Sequence, residues 1–282
     1  MKTEELAWKI RRHGIEMTHI SHGAHIASVL SVADIIAVLY NDILNIEPNN
    51  PKKEDRDRFI LSKGHATLGV YAALAEKGFF DIKELNTFYS DGSKLIGHIS
   101  HKGVLGVEFS SGSLGHGLPV AAGRAYAIKK DGGKSFSYVV MGDGECDEGS
   151  VWEAVLFAHH FKLDNLVAIV DYNKMQSLTT CEETLSLAPF GEKWKAFGWN
   201  VLECDGHNID ELKNALSKDR VVKDKPSVVI AHTIKGKGIS FMENNILWHY
   251  RFPHDGEEYD NALKELKAQK PKGCVDPYEV TK

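Results

Sequence analysis

Gly142-Asp143-Gly144 and Asp171-Tyr172-Asn173 are the two segments of this 282-residue chain best fitted to bind a charged ligand. Carboxylate and amide oxygens are hard ligands, suited to Mg²⁺, which completes its octahedron with phosphate oxygens and water. The glycines allow a tight turn and a close backbone approach to a diphosphate. A helix predicted to start just after Gly149 would aim its N-terminal amides at the same ligand. Taken alone, Gly-Asp-Gly is an ordinary turn and Asn173 an ordinary loop residue. What sets them apart is their setting: each follows a short apolar run, and Asp143 and Asn173 lie 30 residues apart, one strand-helix-strand step. Two other phosphate-binding patterns are excluded, because no Gly-x-Gly-x-x-Gly follows a strand and no Gly-Lys-Ser/Thr occurs.

The elements that must position these residues read as an α/β arrangement. Residues 137–141, 166–170, 199–203 and 227–231 are short runs rich in β-branched residues, and helices are expected near 150–162 and 209–216. Such alternation predicts a mostly parallel sheet with helices on both faces. Ligands then bind beyond the carboxyl ends of the strands, where both candidate segments fall. Upstream, helices are predicted over 3–20, from about Ser31 to Tyr40, and from Gly64-His65 to Lys77. A loop spans 45–57, and Asp81 caps a short helix ending at Phe88. Residues 90–117 lose periodicity and recur in glycine, which predicts a long ordered loop of functional importance. The chain reads as one domain over 1–282, with an irregular tail from about residue 253.

Composition narrows the function classes. Apolar residues make up 43% and charged residues 26%, which excludes disorder, and a net charge of -5 without basic blocks argues against nucleic-acid binding. Cys146, Cys181, Cys204 and Cys274 form no Cys-x-x-Cys pair, so the expectation is unpaired thiols in a reducing cytoplasm. Acids follow Met1 where a signal peptide needs basic residues, and the apolar stretch from Val29 to Tyr40 is short and interrupted by Asp34, so no membrane association is expected. Among 14 histidines, His19, His22 and His25 recur every three residues. On one helical face they would offer a transition-metal site, although hydrogen-bonded surface histidines are the commoner outcome.

The run from Gly142 through Cys146-Asp147-Glu148-Gly149-Ser150-Val151-Trp152-Glu153 to Ala154, with Lys162-Leu163-Asp164-Asn165-Leu166 and Asp171-Tyr172-Asn173, resembles the thiamine diphosphate-binding motif of transketolases. The resemblance continues, in order, through Leu61-Ser62-Lys63-Gly64-His65-Ala66, Gly112-Ser113-Leu114-Gly115, Phe197-Gly198-Trp199 and Lys235-Gly236-Lys237-Gly238. It covers residues 6 to 250 and corresponds only to that family's N-terminal, diphosphate-binding domain.

The resemblance implies a thiamine diphosphate-binding fold and a set of roles. Asp143 and Asn173 would bind the divalent cation (Mg²⁺, or Ca²⁺ or Mn²⁺) through side chains, and Met175 through its carbonyl. Gly144, Gly112 and Leu114 would meet the cofactor. His65 and His249 would lie near the diphosphate and reacting carbon, with His25 and His98 lining the substrate channel. Ketol transfer from a ketose to an aldehyde moves protons on and off sugar hydroxyls, and imidazole is poised for that near neutral pH. Glu148 matches a glutamate that meets the neighbouring subunit. The carboxylate that activates the aminopyrimidine belongs to a domain for which 282 residues leave no room. Since the family occurs split into two polypeptides, the resemblance implies a partner chain carrying the pyrimidine-binding and C-terminal domains, in a two-plus-two heterotetramer acting on sugars or sugar phosphates.

This sequence departs from the family pattern at His116 (glutamine is usual), at Ile26-Ala27 after His25 (Pro-Gly is usual), at 174–180, which lacks an Asp-Gly turn, and at Tyr250 (glycine is usual). The first, second and last would face the channel, which predicts substrates other than the ordinary phosphopentoses. Two alternative readings stay open on the residues alone. One is a different thiamine diphosphate enzyme, either a 2-oxoacid decarboxylating dehydrogenase component or a deoxyxylulose phosphate synthase-like chain; the other is a non-catalytic ligand-binding module.

Overall fold

A computed structural model describes residues 1–279. Its centre is a five-stranded parallel sheet in the order β1-β2-β3-β5-β4. The strands are β1 (Arg58–Leu61), β2 (Ser137–Gly142), β3 (Leu166–Tyr172), β4 (Asn200–Asp205) and β5 (Ser227–His232). Successive strand residues alternate between two cores, as a period of two requires. Tyr138, Val140, Val167, Ile169 and Val229 pack on one face, and Val139, Met141, Ala168, Val170 and Val228 on the other. Burial on both faces is why the strands read as continuous apolar runs.

The first face is covered by α1 (Thr3–Ser21), α2 (Ile26–Val38) and α3 (Thr67–Glu76). The second is covered by α4 (Gly117–Lys130), α5 (Gly149–His160) and, beyond the single turn α6 (Cys181–Thr184), α7 (Phe190–Ala196). The last helices, α8 (Ile209–Leu216) and α9 (Glu257–Ala268), return to the first face. The chain therefore leaves β3 toward one face and β5 toward the other. Divergence at neighbouring strand ends opens a crevice where they part.

The α/β class matches the sequence reading, and 90–116 is an ordered loop pinned to the core by Leu95, Ile99 and Val104. Four details differ. Strand β1 went unread because it offers only four residues. Helix α4 buries Leu118, Ala121, Ala122 and Ala125, a helical stripe whose alanines give little hydrophobic contrast. Helix α2 starts at Ile26 rather than near Ser31, since all of its residues are buried and no polar face marks its beginning. The expected irregular tail from about residue 253 is corrected as well: residues 257–268 are helical. Acids at Glu257, Glu258 and Asp260 suit a helix N-terminus, and Ala262 and Leu266 are buried. Trp8 Nε1 donates to the Leu266 carbonyl at 2.7 Å, and Tyr259 stacks on His19 at 3.7 Å, fixing α9 to α1. Residues Ile26–Ile43 are long and apolar enough to cross a membrane, but 83% of that stretch is buried inside this fold. Asp34, which interrupts it, is paired with Arg11 at 2.5 Å.

Candidate active site

Strand ends β2 and β3 carry the candidate ion-binding groups. Asp143 opens a tight turn, Gly144–Asp147, and one carboxylate oxygen accepts the Gly144 N–H at 2.7 Å. Its other oxygen accepts the Lys174 N–H at 2.5 Å, so the two loops are tied across the carboxylate. Asn173 follows β3 directly; its Oδ1 accepts the Met175 N–H at 3.1 Å and its amide nitrogen donates to Asp171 at 3.4 Å. Asp171 is completely buried and saturated by Lys63, by Ser31 Oγ at 2.7 Å and by Thr233 Oγ1. Burial pushes its carboxyl up, but the Lys63 charge and these hydrogen bonds prevail and hold it below the usual range. Asp143 fares differently: burial, and then the charge of Asp171, push it up to about 6.

The residues fit a divalent cation on this observation. Among the described residues Asp143 accepts hydrogen bonds from two backbone amides and from no lysine or arginine side chain, and the Asn173 amide oxygen lies in the same cleft. A hard cation would relieve that undercompensated charge. Met175 is only half in place. It lines the cleft, but its carbonyl accepts the Lys235 ammonium at 3.2 Å, so a cation there must displace or share that contact.

Facing this turn is a group of imidazoles. Ring centroids of His25 lie 5.3 Å from His65, 5.7 Å from His98 and 5.2 Å from His249, and His65 lies 5.8 Å from His249. His25 gets there because α1 ends at Ser21. His22 and His25 then both take positive φ, at 53° and 75°, and the His25 N–H donates to the His249 carbonyl at 3.0 Å. His65 is carried on a single tight turn whose Gly64 is obligatory, since a Cβ there would sit 2.4 Å from the Ser111 carbonyl oxygen. Burial is the main cause that keeps three of them, His25, His65 and His249, neutral. It lowers His25 to about 4, helped by His98 and Lys235, and His249 to about 3, helped by Lys235; His65 also lies well below its ordinary value. Neutral imidazoles grouped this way can accept a proton at pH 7 without first losing one.

Two buried residues hold the cleft together. Lys235 is 2% exposed and donates to the carbonyls of Met175 and Gln176, each at 3.2 Å, and to His249 Nδ1 at 2.8 Å. Burial, and then Lys63, lower it to about 8. Glu145 accepts from Ser62, from the Gly115 N–H at 2.9 Å and from the Gly142 N–H at 3.2 Å, so it pins the glycine loop to the turn at Gly144–Asp147.

His25, His65, His98, His249, Gly112, Leu114, Asp143, Gly144, Asn173 and Met175 all line one cleft of about 230 Å³. Glu148 does not join them; it is exposed at the N-terminus of α5. Of the three departures expected to face the channel, only Tyr250 does, at 60% exposure and 4.7 Å from the His249 ring. Ile26 and Ala27 are corrected to core residues with no exposure, and His116 is exposed at the start of α4, outside the lining. The spacing of His19, His22 and His25 makes no metal site, because the helix ends between them. His19 stacks on Tyr259 and His22 on Phe252. Sequence reasoning gave no role to Lys63, Asp171, Glu145 or Lys235. A signal existed at Lys235, since a lysine three residues beyond a readable apolar strand, β5, is placed to be buried at the ligand end of a sheet.

Residues 3–251 match the family described as "Transketolase, thiamine diphosphate binding domain". The chain belongs to the transketolase family. It is 40% identical over 261 residues to a Phocaeicola vulgatus protein named as one subunit of an "Apulose-4-phosphate transketolase", covering 93% of this chain and 92% of that protein. It is also 43% identical to the "6-deoxy-6-sulfo-D-fructose transketolase subunit SqwG" of a Clostridium species, covering 87% and 89%. Against human transketolase the identity is 38%, over 94% of this chain but 42% of the human protein. The solved transketolase of Campylobacter jejuni superposes with a TM-score of 0.87 at 28% identity, covering 98% of this chain and 44% of that one. The chain thus spans less than half the length of the solved transketolases it matches, and nearly the whole length of the relatives named as subunits. Its place in the family is the thiamine diphosphate-binding part.

Proposed function

We propose that this transketolase chain is the diphosphate-holding subunit of a two-chain, thiamine diphosphate-dependent enzyme that transfers a two-carbon ketol unit from a ketose to an aldehyde. The observation that carries the reading is the convergence of an undercompensated Asp143, the Asn173 amide and neutral imidazoles on one cleft at the strand ends. Asp143 and Asn173 would hold Mg²⁺ or a similar divalent cation, with the Met175 carbonyl as third ligand once it exchanges with Lys235. Bound thiamine diphosphate supplies the nucleophilic carbon and electron sink for breaking and remaking a carbon–carbon bond. This chain supplies orientation and proton transfer. Lys235 donates to His249 Nδ1, which leaves the ring proton on Nε2. His25 and His65 stand beside it, with His98 next to His25, placed to take or return protons at sugar hydroxyls.

Two subunit-named relatives of matching length support a separate partner chain. In our reading that chain carries the pyrimidine-binding and C-terminal domains, Glu148 lies exposed where it would meet it, and the assembly is a two-plus-two heterotetramer. Four buried, unpaired thiols support a reducing, cytoplasmic setting. Tyr250 at the cleft mouth supports sugar substrates other than the common phosphopentoses. The test is co-expression with the partner and assay of ketol transfer over a panel of ketoses and aldehydes. Transfer that requires both chains, thiamine diphosphate and Mg²⁺, and that is abolished by Asp143→Asn, is expected. Thiamine diphosphate binding that is indifferent to Mg²⁺ and to Asp143→Asn would overturn the site, and a preference for xylulose 5-phosphate with ribose 5-phosphate would overturn the substrate reading.

A further inference from the structure

His207 lies outside the cleft, on the turn between β4 and α8, yet it is bonded at both ring nitrogens. Nδ1 is 2.7 Å from Asp34, and Nε2 is 2.8 Å from the backbone nitrogen of Ile234. A backbone N–H can only donate, so Nε2 must be the unprotonated nitrogen and Nδ1 must carry the proton. Asp34 is ionised to receive it. Burial raises its carboxyl, but the charge of Arg11 and hydrogen bonds from His207 and Arg11 overcome this and hold it at about 2. Arg11 grips both oxygens, at 2.9 and 2.5 Å, and also the Leu30 carbonyl at 3.2 Å, so α1, α2 and the β4–α8 turn are joined at one carboxylate.

The segment held in this way is the one that furnishes the cleft. Thr233 bonds Asp171 beside the ion-binding turn, Ile234 bonds His207, and Lys235 donates to His249 and to the two loop carbonyls. Gly206 allows the approach, because a Cβ there would stand 2.4 Å from Thr233 Cγ2. The ammonium of Lys235 sits at the end of a flexible four-carbon stem, so the backbone at 234 must be fixed for its three contacts to coincide.

We propose that His207 is a positioning residue for Lys235, clamping the 233–235 segment through the Ile234 amide and, by that route, fixing the tautomer of His249. The inference rests on the proposed function only for its kinetic readout; its spectroscopic readout concerns the free chain. In the full-length protein, ¹⁵N spectra of labelled histidines are expected to show the proton on Nδ1 for His207 and on Nε2 for His249. His207→Ala is expected to alter the His249 signals. In the assembled enzyme it is expected to lower kcat on the order of tenfold with little change in KM. His207→Gln offers one acceptor and one donor and is expected to restore most of both. His207→Leu, which fills similar space but has no ring nitrogen to accept the Ile234 N–H, is expected to reproduce the His207→Ala spectrum. If His207→Ala does not fold, His207→Leu and His207→Gln carry the test. A ring proton on Nε2 of His207 in the unmodified chain, or His249 signals and kcat unmoved in His207→Ala and His207→Leu, would overturn the proposal. A chain in which the His249 signals behave as described but no ketol transfer is found with any partner would overturn the functional reading and leave this one standing.

Discussion

Asp143 and Asp171 are both buried aspartates at the carboxyl ends of adjacent strands, 2% and 0% exposed, yet their surroundings are opposite. Asp171 receives an ammonium, two hydroxyls and an amide, and its charge is held down. Asp143 receives two backbone amides, stands beside the charge of Asp171, and is pushed up to about 6. One carboxylate is closed by the fold; the other is left open for something outside it. A buried charge satisfied by the chain stabilises the architecture that displays it, whereas one left short of counter-charge destabilises the ligand-free state and favours a cation.

The widest separation between the two is expected on mutation. Asp171→Asn leaves the Lys63 ammonium buried without its carboxylate and should destabilise the chain by about 3–5 kcal/mol in urea unfolding. Unchanged stability would mean that the pair is not what closes this strand end. Next, thiamine diphosphate with Mg²⁺, added to the assembled protein at a hundredfold excess over Kd, should stabilise it by about 2.7 kcal/mol in a thermal melt. The same addition should do nothing to Asp143→Asn. In the absence of ligands, Asp143→Asn removes a buried charge but turns its amide NH2 on the Gly144 or Lys174 N–H, so the two effects oppose and stability at pH 7 should change far less than in Asp171→Asn. A loss as large as that of Asp171→Asn would erase the contrast.

Acid sharpens the same comparison. His25 and His249 have folded values near 4 and 3 against 6.5 when unfolded, so the unfolded chain binds more protons in that window and stability should fall as pH drops from about 6.5 toward 4. Asp143 works the other way, because its folded value lies above its unfolded one: the folded chain takes up its proton between about 6 and 4 and gains stability there. Asp143→Asn removes this opposing contribution, so its acid loss, followed by urea unfolding at successive pH values, should be the steeper of the two. The smallest effect on the fold is expected at Tyr250, half out of the cleft. Tyr250→Gly should leave stability within about 0.5 kcal/mol while changing the ratio of kcat/KM between long and short aldehyde acceptors; an unaltered ratio would remove Tyr250 from substrate selection.

Four of the five strands, their parallel arrangement and the turn at Gly142-Asp143-Gly144 were legible in the amino-acid order, because buried parallel strands write themselves as β-branched runs and ligand loops follow them. His25, His65, His98 and His249 were legible only through family resemblance, since they come from four separate segments and no periodicity links them. Strand β1, helix α4 and helix α9 lay beyond local reading: four residues carry no period, alanines give a weak stripe, and α9 acquires its apolar partner only when α1 lies beside it. Local pattern thus fixed which residues face inward and where the chain turns. Which of two aspartates keeps a counter-charge was decided only when segments more than 100 residues apart met, as Lys63 and Asp171 do, and which histidine holds Lys235 in place only when the turn at 207 met the segment at 234. Electrostatic compensation depends on distance in space, and spacing along the chain does not encode it.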